Sequence, residues 1–146
     1  MQDADTQAEV FASVRQAHSM ESTEDYVELI DDLIRMNGEA RLVELAERLG
    51  ISQPSASKTL ARLQRDGYVT SEPYRSIFLT DKGKTLADAS RERHDLVYRF
   101  LLCIGVSEDV AKIDSEGVEH HVSEETLNAF RQIMRERESG VATGVD

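Results

Sequence analysis

The run Glu116-Gly-Val-Glu-His-His121 places two carboxylates and two imidazoles within six residues. On a helix, Glu116, Glu119 and His120 stand at i, i+3 and i+4, so their side chains leave one face and can converge on one point. Oxygen and imidazole donors without thiolate suit Mn²⁺, Fe²⁺ or Zn²⁺ better than a cation that prefers sulfur. Two other segments offer matching chemistry. Asp25 and Glu28 form a second i, i+3 carboxylate pair, and His94 stands within Arg91-Glu-Arg-His-Asp95. Four carboxylates sharing one site would repel and raise one another's pKa values unless cations neutralised them. Two divalent ions balance four carboxylates, which favours a binuclear site. His121 points away from His120 on a helix and reads as a surface or supporting group. The plain alternatives are a solvated acidic helix end and a surface histidine at position 94.

These residues need a scaffold, and the chain has 146 residues with which to build it, enough for one core or two small ones sharing an interface. Apolar content of 40% and charged content of 31% are ordinary for a soluble helical protein. The longest apolar run, Phe100 to Val106, is too short to span a membrane. The amino terminus lacks the basic start and apolar stretch of a secretory signal, so a cytoplasmic protein is expected. The single cysteine, Cys103, excludes an intramolecular disulfide framework and reads as a buried structural thiol.

A net charge of −11 argues at first against nucleic acid as a partner. The charge is uneven, however: residues 41–84 carry eight basic side chains against five acidic ones, leaving −14 for the remainder. That pattern suggests a phosphate-facing module attached to an acidic remainder.

Residues 1 to about 20 are polar, lack a sustained period and read as a frayed or weakly helical arm. After Ser22-Thr23, the residues Tyr26, Leu29, Ile30, Leu33 and Ile34 form a helical apolar stripe that Asn37-Gly38 ends. Leu42, Leu45, Ala46 and Leu49 then give the inner face of a short helix, and Gly50 supplies a turn. Ser52 is placed to cap a second helix, Pro54 fits its first position, and Ala56, Leu60 and Leu63 face inward. This is a helix-turn-helix. Ser52, Gln53, Ser55, Ser57, Lys58 and Arg62 lie at the start and on the outer side of the second helix, small and polar first and basic later, as a DNA-reading helix requires. Tyr68 to Glu72 and Ser76 to Leu79 read as two short strands, a wing whose tip would bring Tyr74 and Arg75 to the DNA backbone or minor groove.

Thr80-Asp81 opens a longer helix running up to Gly105, Ser107 caps a short one carrying Val110, Ile113 and Val118, and Ser123 begins the last, with Leu127, Phe130 and Met134 inward. This block, led by Val97, Phe100 and Leu101, holds more apolar face than so few helices bury alone, so a homodimer is expected. The fold expected is mainly α, an N-terminal winged helix-turn-helix followed by an all-helical dimerisation domain. Its divisions are a flexible arm (1–21), the DNA-binding domain (22–80), a helical metal-binding and dimerisation domain (81–137) and a disordered tail (138–146).

Over about residues 22–137 the chain resembles the manganese-transport-regulator branch of the diphtheria-toxin-repressor family. The motifs that carry the resemblance are Glu24-Asp-Tyr-Val-Glu28, Ser52-Gln-Pro-Ser-Ala-Ser-Lys58, Pro73-Tyr-Arg75 followed by Leu79-Thr-Asp-Lys-Gly83, Arg93-His94, and Glu116-Gly-Val-Glu-His-His121. The resemblance implies a metal-activated homodimeric repressor, with Asp25, Glu28, His94, Glu116, Glu119 and His120 holding a pair of Mn²⁺ ions in each chain. Relatives that respond to iron have a sulfur ligand where this chain has Glu116, and methionine where it has Asp25. Oxygen at both places favours Mn²⁺, with Fe²⁺ as the alternative effector and Zn²⁺ or Cd²⁺ as competitors. Ser76 stands where the wing of relatives often has glycine.

The mechanism expected is that metal restrains the two recognition helices at the spacing of successive major grooves in a palindromic double-stranded operator, repressing metal-uptake genes. No organic substrate and no membrane partner is expected. A binuclear metallohydrolase is the rival from another class, but no additional general base accompanies the ligands and a helix-turn-helix would be left unexplained, so the chain does not read as an enzyme.

Overall fold

A computed structural model describes residues 3–72 and 76–142. The elements are α1 (Ala4–Asn37), α2 (Leu42–Leu49), α3 (Gln53–Arg65), β1 (Val69–Thr70), β2 (Phe78–Leu79), α4 (Asp81–Cys103), α5 (Glu108–Val118), a 3₁₀ turn (Glu119–His121) and α6 (Glu124–Ala142). Residues 21–89 form one compact unit, and residues 3–20 with 90–142 form the other, so the division falls inside α1 and inside α4. Among the described residues no helix is long and apolar enough to cross a membrane.

In the first unit, α1 contributes the buried stripe Tyr26, Val27, Ile30 and Leu33, the spacing of one helix face. Of this stripe, Tyr26, Ile30 and Leu33 join Ala40, Leu45, Leu60, Leu63, Val69 and Ile77 in one core. Fully burying an aliphatic side chain such as Ile30 or Leu63 contributes about 1.5–3 kcal/mol, and these contacts seat α3 against α1 and α2. The turn between α2 and α3 rests on Gly50, whose φ of 70° is left-handed and whose N–H reaches back to the carbonyls of Ala46 and Glu47. Ser52 caps α3 as expected, its Oγ accepting the Ser55 N–H at 3.2 Å, and Pro54 sits in the first turn.

Among the described residues the two strands of the wing are shorter than the sequence suggests. Val69 pairs with Leu79 and Thr70 with Phe78 in an antiparallel ladder, and Ile77 bridges to Ala40. Ser76, at the position where a glycine was the expectation for relatives, donates its hydroxyl to Glu39 Oε2 at 3.0 Å. Glu39 in turn accepts from Arg41 Nε at 2.8 Å. The serine thereby ties the returning strand to the link between α1 and α2. Arg41 first, and then Ser76, hold the Glu39 carboxyl below its usual pKa.

In the second unit, α4 and α6 pack through Leu96, Val97 and Leu127, flanked by Leu101, Val122, Phe130 and Met134. Phe100 and Phe130 stack with ring centroids 3.9 Å apart. Val97 and Phe100 are therefore consumed inside the unit and are not the surplus apolar face the sequence suggested. The exposed apolar side chains described in this unit include Val110, Ile113 (73%) and Val118 on α5, Leu102 on α4, Ile104 just beyond it, and Val10, Phe11 and Val14 on the first part of α1. Cys103, expected to be buried, is only partly so.

Both ends differ from the sequence reading. Residues 4–20, expected as a frayed or weakly helical arm, are the first half of α1. Asp3 starts that helix by accepting the Thr6 N–H at 2.9 Å, a contact that also lowers its pKa. Almost every residue from 4 to 20 is exposed, and the brief apolar spacing of Val10, Phe11 and Val14 is not sustained enough to announce the helix. Residues 138–142, expected in a disordered tail, continue α6.

Candidate metal centre and nucleic-acid interface

The outer face of α3 presents what a DNA-reading surface needs. Ser52, Gln53, Ser55, Ser57 and Lys58 are exposed, while Ala56, Leu60 and Leu63 hold the helix down from the other side. Arg62 is tied more closely: its guanidinium donates to Thr23 Oγ1 at 3.2 Å and stands 3.9 Å from Asp66. An open groove of about 630 Å³ lies between α3, the start of α2 and the residues that follow β1, lined by Val43, Gln53, Ser57, Gln64, Ser71 and Glu72 among others. Lys82, one of the basic side chains of residues 41–84, sits over the Tyr68 ring at 4.3 Å and donates to the Asp66 carbonyl at 2.8 Å, bracing the base of the wing. Tyr74 and Arg75, expected at the wing tip, lie outside the described residues.

The candidate metal ligands fall into two groups. Asp25 and Glu28 stand three residues apart on α1 in the first unit, both half-buried. His94, Glu116, Glu119 and His120 belong to the second unit. There, α5 ends at Val118 and the chain tightens into the 3₁₀ turn Glu119–His121, so the three motif residues do not share one continuous α-helix as the spacing suggested. The tightening separates their environments. The Glu116 side chain is 66% exposed, whereas those of Glu119 and His120 are fully enclosed.

His94 Nδ1 is buried and has no hydrogen-bond partner among the described residues. It faces Glu116 Oε1 at 3.7 Å, too long for a hydrogen bond. Two ligand atoms each bound at roughly 2.0–2.2 Å to one divalent ion stand about 3–4 Å apart, so the gap is of the size that a shared cation requires. His120 Nε2 lies 3.3 Å from Glu119 Oε1. Glu119 also accepts from Ser90 Oγ at 3.1 Å and from Arg93 Nε at 3.2 Å, two α4 residues the sequence reading did not assign a role. His121 is exposed, as expected, with its ring edge-on to His18 at a centroid distance of 4.8 Å. Imidazole nitrogen and carboxylate oxygen, with no thiolate among them, make a donor set that fits Mn²⁺, Fe²⁺ or Zn²⁺.

Comparison with known families accounts for nearly the whole chain. Residues 18–77 match the iron dependent repressor N-terminal DNA binding domain, and residues 80–139 match the metal binding and dimerisation domain of the same family. The chain belongs to the iron-dependent repressor family. Within that family it is 57% identical over 123 residues to the transcriptional regulator MntR of Escherichia coli O157:H7, covering 84% of this chain and 79% of that protein. It is 36% identical over 136 residues to the HTH-type transcriptional regulator MntR of Geobacillus kaustophilus, covering 82% of this chain and 96% of the relative. These relatives carry the name of the branch that the motifs resemble, and they are named as regulators, not enzymes.

Solved structures agree on the family fold. The manganese regulator SloR superposes with a TM-score of 0.68 at 24% identity, over 77% of this chain and 53% of SloR. A manganese-dependent transcriptional repressor in complex with manganese superposes with a TM-score of 0.65 at 28% identity, over 74% of this chain and 50% of that one. The chain thus spans about half the length of these solved relatives.

Proposed function

We propose that this iron-dependent-repressor-family chain is a Mn²⁺-activated transcriptional repressor of metal-uptake genes, working in the cytoplasm as a homodimer on a palindromic double-stranded DNA operator. The observation that carries the metal reading is the buried, unpartnered His94 Nδ1 facing Glu116 across 3.7 Å. A buried polar atom without a partner is costly, and such atoms in native proteins ask for an explanation. Ligation supplies one. In this reading Asp25, Glu28, His94, Glu116, Glu119 and His120 are the ligands, and two ions occupy each chain. Oxygen at positions 25 and 116 supports Mn²⁺ as the effector.

The bound ions supply positive charge that offsets the carboxylates, and the remaining work belongs to the protein. The ligand set draws on both halves of the chain, and that is what couples metal level to DNA affinity in this reading. The recognition helix α3 contributes Ser52, Gln53, Ser55, Ser57, Lys58 and Arg62 toward DNA, with Tyr74 and Arg75 proposed from the wing. The exposed Val110, Ile113 and Val118 on α5 support dimerisation, since a patch of this kind in a family described by its dimerisation domain calls for a second copy.

The test is a titration of DNA binding with Mn²⁺, Fe²⁺ and Zn²⁺, using duplexes selected from a random library in the presence of Mn²⁺. Affinity should rise with Mn²⁺, and Glu116→Ala or His120→Ala should abolish the rise while leaving the helical content intact. DNA affinity independent of Mn²⁺ overturns the proposal, and a response to Fe²⁺ alone reassigns the effector.

A further inference from the structure

The Glu119 side chain is fully enclosed. An ionised carboxylate taken out of water is expensive unless donors compensate it. Two donors come from one face of α4: Ser90 and Arg93 are i, i+3 neighbours, so both side chains leave the helix toward the same place. Ser90, itself fully buried, donates its hydroxyl to Oε1 at 3.1 Å, and Arg93 donates Nε–H to Oε2 at 3.2 Å. Each oxygen thus has its own donor, which restrains rotation about the carboxylate axis. A carboxylate offers about four lone-pair positions, so these two bonds are compatible with ligation by the same group. His94, which follows Arg93 directly, is set on α4 by the same helical turn.

We propose that Ser90 and Arg93 are positioning residues that hold the Glu119 carboxyl group aimed before any metal arrives, so that the site is pre-organised by a resident guanidinium and a hydroxyl. This rests on the assignment of Glu119 as a ligand. Arg93 supplies the charge that stabilises the enclosed carboxylate in the metal-free protein, and Ser90 sets which way its oxygens point. Supporting hydrogen bonds of this kind set ligand orientation and typically change metal affinity by about 10–100-fold when removed. Lysine in place of Arg93 restores the charge but lacks the planar Nε–H geometry, so it recovers only part of the effect.

The experiment measures Mn²⁺ dissociation constants by calorimetry on the full chain for Ser90→Ala, Arg93→Gln, Arg93→Lys and Glu119→Gln, with thermal unfolding of each metal-free variant alongside. Ser90→Ala and Arg93→Gln should each weaken Mn²⁺ binding by about 10–100-fold, with Arg93→Lys intermediate between Arg93→Gln and the parent. Variants that lower the unfolding temperature but bind Mn²⁺ as the parent does would show a merely structural pair and overturn the proposal. Tighter binding by Arg93→Gln would overturn it too, because Arg93 would then be a competitor of the metal. Unchanged Mn²⁺ affinity in Glu119→Gln rejects the ligand assignment itself, an outcome separate from the other two. If Arg93→Gln does not fold, Ser90→Ala alone decides.

Discussion

Replacing Gly83 with alanine isolates the contact that fixes the wing to α4. Gly83 is buried in the first turn of α4, and a methyl added there would collide with the Tyr68 carbonyl oxygen and come within 3.1 Å of the Tyr68 carbonyl carbon and 3.2 Å of Leu79 Cδ2. The neighbour that must yield is backbone, and it is already committed. Tyr68 O accepts the Thr80 N–H at 3.0 Å, while Thr80 Oγ1 accepts from Gly83 N at 3.1 Å and donates to Gly67 O at 2.6 Å. Helix propensity alone would make the alanine variant more stable by about 0.8–1.0 kcal/mol. Overpacking against backbone costs about 1–3 kcal/mol, and loss of the Tyr68–Thr80 bond costs about 0.5–1.5 kcal/mol more. The net expectation is a loss of about 1–3 kcal/mol, or ~5–15 °C in melting temperature for a unit of this size. Thermal unfolding followed by circular dichroism should be run on the metal-free protein, since a ligand that binds only the folded state would raise both curves. A melting temperature equal to or above the parent's would refute the close-approach argument and leave the glycine as an ordinary helical residue.

Other outcomes follow from contacts in the two units. Lys58→Ala should weaken DNA binding across sequences and lower the salt slope by about one; Arg62→Ala should also destabilise the fold, because Arg62 is bonded to Thr23, and salt slopes unchanged in both would remove α3 from the interface. Asp88, and after it Asp31, raise the Lys84 pKa. A cation whose folded pKa is raised contributes stability that is complete below its unfolded value and lost as pH rises through the folded one. Urea unfolding between neutral pH and the alkaline side of the lysine range should therefore show a falling limb that is smaller in Lys84→Met, and identical limbs would exclude the linkage. Phe100→Ala removes the partner stacked on Phe130 at 3.9 Å, and equilibrium unfolding should show a loss of about 3–5 kcal/mol.

How much could be read in advance depended on how local the cause was. The helix-turn-helix was legible because its signals are short-range: the Ser52 cap, Pro54, Gly50, and the inward spacing of Ala56, Leu60 and Leu63 all act within a turn or two. The first half of α1 was not, because residues 4–20 bury almost nothing and carry no sustained apolar period beyond Val10, Phe11 and Val14; the Asp3 to Thr6 cap marks its start. The apolar stripe of α4 was visible, but which of its members stay exposed was not. Val97 and Phe100 meet α6 inside their own unit, whereas Leu102 on α4 is exposed, as are Val110, Ile113 and Val118 on α5.

The amino-acid sequence by itself determined the chemical inventory of the candidate metal centre: carboxylates and imidazoles at helical spacing, with no thiolate beside them, fix the class of cation through donor identity alone. It also determined the fold class, since capping and periodicity are local properties. Tertiary structure decided what each candidate ligand experiences. The chain tightens into a 3₁₀ turn at Glu119, which leaves Glu116 largely in solvent and encloses Glu119 and His120. It also decided that Ser90 and Arg93, 29 and 26 residues away in sequence, supply the donors that make an enclosed carboxylate tolerable. Burial and long-range hydrogen bonding depend on which helices pack together, and no spacing along the chain encodes that directly.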